Sequence, residues 1–62
     1  MSFIYTLRQG DEGQEVKRLQ VNLGITADGD FGPKTKRAVE EHQSSSGLMV
    51  DGLAGPRTLG SL

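Results

Sequence analysis

The sequence predicts an all-α fold: a small three-helix domain built from two pseudo-symmetric helix-loop-helix repeats. Three observations predict it. The stretch Asp28-Gly29-Asp30-Phe31-Gly32-Pro33-Lys34-Thr35 is written again as Asp51-Gly52-Leu53-Ala54-Gly55-Pro56-Arg57-Thr58, each residue 23 positions after its counterpart. The same offset pairs Val16 with Val39, Gln20 with Gln43, Gly24 with Gly47 and Ile25 with Leu48. Between these corners the apolar residues recur at helical spacing. Self-similarity at a fixed period marks one supersecondary unit repeated and packed on itself. Two copies are too few for a solenoid, so residues 1–62 form a single domain, with an arm at 1–6 and repeat units at about 13–35 and 36–58.

Phe3 to Leu7 is short and mostly β-branched or aromatic, and reads as an extended arm lying against the helices. Arg8-Gln9-Gly10 is a turn. Asp11 followed by Gln14 has the spacing of a capping box, with an acid in place of Ser or Thr. The first helix is expected from about Glu12 to Leu23, with Val16, Leu19 and Leu23 as its apolar stripe and Gly24 stopping it. The second is expected from Pro33 to about Ser44, with Thr35, Ala38, Val39 and His42 on its inner face. The third starts at Pro56, runs about two turns and turns Leu59 and Leu62 inward.

Each corner has a physical logic. The Asp carboxylate accepts backbone N–H bonds from residues just ahead, and the following Gly takes the positive φ of a tight turn. Gly32 and Gly55 then fall at N-cap positions. Pro33 and Pro56 fall at N1, where a missing N–H costs nothing and φ is already helical.

Bulk properties exclude several function classes. A chain of 62 residues buries only about 60% of its unfolded surface and leaves little room for a deep cleft of several hundred Å³. With no cysteine and one histidine, a structural zinc site lacks ligands, and no metal or cofactor is expected. Three short helices with Lys34, Lys36 and Arg37 suggest a helix-turn-helix DNA binder. A net charge of −1 and the lack of a basic recognition helix speak against it, so no nucleic acid is expected. No stretch approaches the about 20 apolar residues of a membrane span. Met1 to Leu7 lacks the features of a signal peptide, which implies cytoplasmic synthesis without export. Ser44 to Ser46 lie near His42, but a helix end offers no triad geometry, and no catalytic residue is nominated.

Taken together, several runs resemble the bacterial peptidoglycan-binding domain, the three-helix module of phage endolysins, amidases and spore-cortex hydrolases. They are Leu7-Arg8-x-Gly10-x-x-Gly13-x-x-Val16-x-x-Leu19-Gln20, Asp28-Gly29-x-Phe31-Gly32-x-x-Thr35-x-x-Ala38-Val39, Gln43, Gly47-Leu48, Asp51-Gly52-x-x-Gly55-x-x-Thr58 and Leu62. The resemblance covers residues 7–62. His42 departs from it by replacing an aromatic, Leu59 by replacing a larger residue and Ala54 by replacing a bulkier one. These changes imply a smaller or more polar core. The resemblance implies a non-catalytic module that binds peptidoglycan, through glycan strand and stem peptide, and holds a hydrolase domain in cis at the cell wall. A phage endolysin fits this role. The alternative is a protein–protein adaptor or prodomain-like module on the same scaffold; a cysteine-switch prodomain is excluded by the lack of cysteine.

The ligand-binding candidates are Asp28, Asp30, Phe31, Lys34, Thr35, Asp51, Leu53, Arg57 and Thr58. Most have a competing structural role. Asp28, Asp51, Thr35 and Thr58 are expected to fold the corners through local side chain–backbone bonds. Gln20 and Gln43 are expected as buried amides tying helix to loop. Phe31 is expected in the core, and His42 as a satisfied interior histidine. The sharper expectation concerns Lys34 and Arg57: each flanks a helix start, where free N–H groups and the helix dipole attract anions such as a stem-peptide carboxylate.

Overall fold

A computed structural model of the chain describes residues 6–62, and the residues of the expected arm at 1–5 lie outside that range. Three helices follow one another: α1 at Gln14–Leu23, α2 at Pro33–Ser45 and α3 at Pro56–Gly60. The described residues contain two isolated antiparallel bridges, Leu7 to Ala54 and Glu12 to Asp30, and no longer strand.

Helix α1 starts two residues later than its sequence pattern predicts, and no side chain caps it. The capping box fails because Asp11 is occupied elsewhere: its Oδ2 accepts the Arg8 N–H at 3.0 Å and closes the turn ahead of the helix. Gly13 stands at the N-cap instead, and its carbonyl accepts the Lys17 N–H. Val16 and Leu19 are buried and Leu23 packs at the edge of the core, as the stripe requires. Gly24 ends the helix at φ 75°, and the Ile25 N–H turns back to the Gln20 carbonyl. Gly47 (φ 72°) and Leu48, which bonds back to the Gln43 carbonyl, repeat this stop after α2.

Helix α2 begins at Gly32 and Pro33 as expected and buries Thr35, Val39 and Gln43. Ala38 and His42, assigned to its inner face from the sequence, are only half-buried. The third helix is shorter than the two turns expected. It has five residues, Leu59 is buried, and Leu62 lies beyond its end at 37% exposure rather than inside. The Leu62 N–H reaches the Leu59 carbonyl only at 3.4 Å, so the helical ladder has run out there.

The described residues ahead of α1 run across the two corners, with the Leu7 side chain buried in the core. Leu7 exchanges both backbone hydrogen bonds with Ala54, at 3.1 and 2.8 Å. Gly10 donates to the Phe31 carbonyl, Phe31 donates to the Asp11 carbonyl, and Gly13 donates to the Gly29 carbonyl. Phe31 and Ala54 hold equivalent positions in the two repeats, so one extended segment is hydrogen-bonded to both. Leu7, Val16, Leu19, Phe31, Val39, Ala54 and Leu59 form the core beneath it. The methyl of Ala54 takes the place that a full aromatic ring takes in the first repeat, and the backbone of the corner is unaffected.

Gly29 (φ 81°) and Gly52 (φ 73°) are the turn glycines of the corners, and both are buried. A Cβ at Gly52 would sit 2.9 Å from Lys36 Cε, whose aliphatic stem covers the turn. Gly52→Ala is therefore expected to destabilise the domain by about 1–2 kcal/mol, combining left-handed strain with displacement of that stem. Gly60→Ala, where nothing lies within 4 Å and φ is not positive, should instead stabilise by about 0.5 kcal/mol. Urea unfolding followed by circular dichroism measures both.

Candidate functional site

Each corner is organised by one buried amide. Gln20 Nε2 donates to Asp28 Oδ1 (2.9 Å), to the Asp30 carbonyl (3.0 Å) and to Thr35 Oγ1 (3.0 Å), while its Oε1 accepts the Gly29 N–H (2.9 Å). Gln43 repeats the set: Nε2 to Asp51 Oδ1 (2.9 Å), to the Leu53 carbonyl (2.9 Å) and to Thr58 Oγ1 (3.0 Å). Its Oε1 accepts the N–H groups of Asp51 (3.2 Å) and Gly52 (3.1 Å). Two N–H groups serve three acceptors in each case, so one proton is shared. Every buried side-chain nitrogen and oxygen among the described residues has a partner.

The aspartates close the corners as Asx turns: Asp28 Oδ1 accepts the Asp30 N–H at 3.0 Å, and Asp51 Oδ1 accepts the Leu53 N–H at 2.9 Å. These backbone bonds, then the amides of Gln20 and Gln43, hold both carboxyls below the ordinary carboxylate range; the charge of Lys34 adds to the effect at Asp28.

The nine candidates separate accordingly. Phe31, a ligand candidate also expected in the core, lies there at 2% exposure. Thr35 and Thr58 are buried, with hydroxyls engaged by the glutamines. Asp28 and Asp51 are exposed, but each commits one carboxylate oxygen to its corner. Asp30 and Leu53 serve the corners through their backbone alone, which leaves two exposed side chains free to differ. Lys34 and Arg57 are exposed beside Pro33 and Pro56.

An open groove runs along the outside of each corner. The first, of about 590 Å³, is lined by Gln20, Ile25, Thr26, Asp28, Asp30, Gly32, Pro33, Lys34 and Thr35. The second, of about 290 Å³, is lined by Gln43, Leu48, Met49, Asp51, Leu53, Gly55, Pro56, Arg57 and Thr58, with Thr6 added. All nine positions of the first recur in the second at the repeat offset. The volumes exceed what the chain length suggests, because the grooves are shallow troughs between loop and helix start rather than enclosed clefts. Thr26 and Met49 were not among the sequence candidates. Only the repeat register, carried past Ile25 and Leu48, points to them.

The remaining polar cluster supports the fold. Ser61 Oγ lies 2.8 Å from His42 Nε2 and donates its only proton to the Thr58 carbonyl at 2.9 Å. Ser45 likewise gives its hydroxyl to the Glu41 and His42 carbonyls. No cluster of three or more potential metal ligands occurs among the described residues, and no helix there is long and apolar enough to cross a membrane.

Twinned Gln–Asp–Thr corners, short helices launched from Gly-Pro and open grooves define a small helical-repeat module. The chain belongs to the peptidoglycan binding domain family, whose model matches residues 12–62. The zinc D-Ala-D-Ala carboxypeptidase of Streptomyces albus G is 40% identical over 92% of this chain, which spans 26% of that enzyme. Among solved structures, a peptidoglycan-binding protein from Clostridioides difficile is 36% identical with a TM-score of 0.93, covering 98% of this chain and 42% of that one. The endolysin of Burkholderia phage AP3 is 39% identical with a TM-score of 0.89, covering 92% and 24%. In the carboxypeptidase and in the endolysin the matched region is about a quarter of a longer chain.

Two outcomes test the corner chemistry. Gln43→Leu keeps the volume but strands the Gly52 N–H and the Thr58 hydroxyl, and should cost about 3 kcal/mol in urea unfolding. Because Asp28 and Asp51 stay ionised to lower pH when folded than when unfolded, their contribution is complete above about pH 5. It is lost as pH falls below about 4. The urea midpoint should follow that course, and the Asp28→Asn, Asp51→Asn double variant should show a shallower acid limb.

Proposed function

We propose that the chain is a non-catalytic peptidoglycan-binding module that holds a hydrolase domain, joined to it in cis, against the bacterial cell wall. The hydrolase is of the kind exemplified by the phage endolysin. The observation that carries this reading is the pair of equivalent grooves, each bordered by a proline and an exposed cation, in a chain of this family. Their floors are spent on holding the corners. Their rims, with Asp30, Lys34, Leu53 and Arg57, are exposed to a ligand. The ligand suited to such rims is a polymer with hydroxyl-rich sugars and short anionic peptides. Stem-peptide carboxylates meet Lys34 or Arg57, and glycan hydroxyls meet the polar rim of the first groove. Weak binding suffices, since tethering converts each rebinding event into an intramolecular one and keeps a catalytic domain near its polymeric substrate.

A protein-docking module is the second reading, favoured by the exposure of Met49 (79%) and Val50 (53%) in the loop before the second corner. Sedimentation with purified sacculi separates the two. The folded chain should pellet with walls, and the Lys34→Glu, Arg57→Glu double variant should remain largely in the supernatant. A folded parent chain that stays in the supernatant rejects the wall reading.

A further inference from the structure

The two grooves share a floor but not a rim. At equivalent positions Ile25, Thr26 and Asp30 of the first become Leu48, Met49 and Leu53 of the second. The first lining carries two carboxylates against one cation; the second carries one against one. An incoming carboxylate therefore meets two like charges, Asp28 and Asp30, beside Lys34 in the first groove. In the second it meets a guanidinium, whose planar fork matches a carboxylate with two parallel hydrogen bonds.

The apolar contacts point the same way. Leu48, Met49, Leu53 and Pro56 line the second groove and offer methyl and methylene surface where the first offers a hydroxyl and an acid. Methionine adapts its shape to small apolar groups. At about 290 Å³ the second groove is also the smaller, near the lower bound of ligand sites, and suits the end of a peptide better than a sugar pair. Resting on the wall-binding reading above, we infer that the second groove is a peptide-end subsite. It takes a short alanine-type terminus through its methyl groups and its free carboxylate, with Arg57 as the anion's partner.

The test uses the 15N-labelled chain, titrated with a synthetic peptide ending in D-alanyl-D-alanine and with the same peptide as its C-terminal amide. The free acid should shift the amide signals of Leu48, Leu53, Arg57 and Thr58 and bind about tenfold more tightly than the amide. Arg57→Glu should abolish this binding, and Arg37→Glu, at an exposed position outside both grooves, should leave it unchanged. Leu53→Asp copies the acid of the first groove into the second at an exposed position, and should weaken binding about tenfold while the spectrum stays folded. Equal affinity for acid and amide, or shifts centred on Thr26 to Lys34, would overturn the inference. Sedimentation with sacculi in the absence of second-groove shifts overturns this inference alone. Loss of sedimentation by the parent chain overturns the wall reading instead.

Discussion

The structure depends on a side-chain amide placed where a backbone would otherwise go unpaired. A loop of nine or ten residues turning sharply into a helix leaves several N–H and C=O groups without ladder partners, and burying them unpaired costs about 1–3 kcal/mol each. Gln20 and Gln43 meet that cost because an amide is both donor and acceptor: one end takes turn N–H groups, the other binds a carboxylate, a carbonyl and a hydroxyl. Leucine fits the same volume but offers neither function. Asparagine carries the same group on a stem one methylene shorter. The helix before each corner is thereby fastened to the helix after it without a large apolar core.

Among the described residues the buried core contains seven, and one of them is Ala54. In a larger domain the loss of an aromatic ring at such a position would open a cavity. Here the corner keeps its shape through polar bonds, and the Leu7 backbone closes over Ala54 directly. Hydrogen bonds do in this domain part of what disulfides or metals do in other chains of its size.

Much of the fold was legible because the repeat turns each local signal into a pair. Gly-Pro helix starts, the glycine stops after Leu23 and the buried glutamines all follow from residue chemistry that the chain states twice. What was illegible involved competition between partners. Asp11 has the spacing of a helix cap, yet it bonds the Arg8 N–H, because the turn ahead of α1 offers that donor first. The sequence reads Phe3 to Leu7 as an arm and Arg8 to Gly10 as a turn; the pairing of Leu7 with Ala54 and of Gly10 and Asp11 with Phe31 is long-range and leaves no periodic trace. The grooves were half-legible. Lys34 and Arg57 stood out as cations beside prolines, while Thr26 and Met49 carry no chemistry that marks them singly. Phe31 and the threonines were attractive candidates because aromatic rings and hydroxyls are common ligand contacts, and burial alone decides against them.

The bridge from Leu7 to Ala54 joins residues near opposite ends of the sequence, and the glycine-to-phenylalanine bond near it joins the middle. Neither repeat can finish assembling by itself, since a segment outside both must close over each. The route to the native state therefore has high contact order for a helical protein, and its steps are coupled. On a ribosome, the stretch around Leu7 must wait until Ala54 has cleared the exit tunnel before the last bridge can form. Closure of that bridge is then the step that completes the module, whatever the protein carries beyond it.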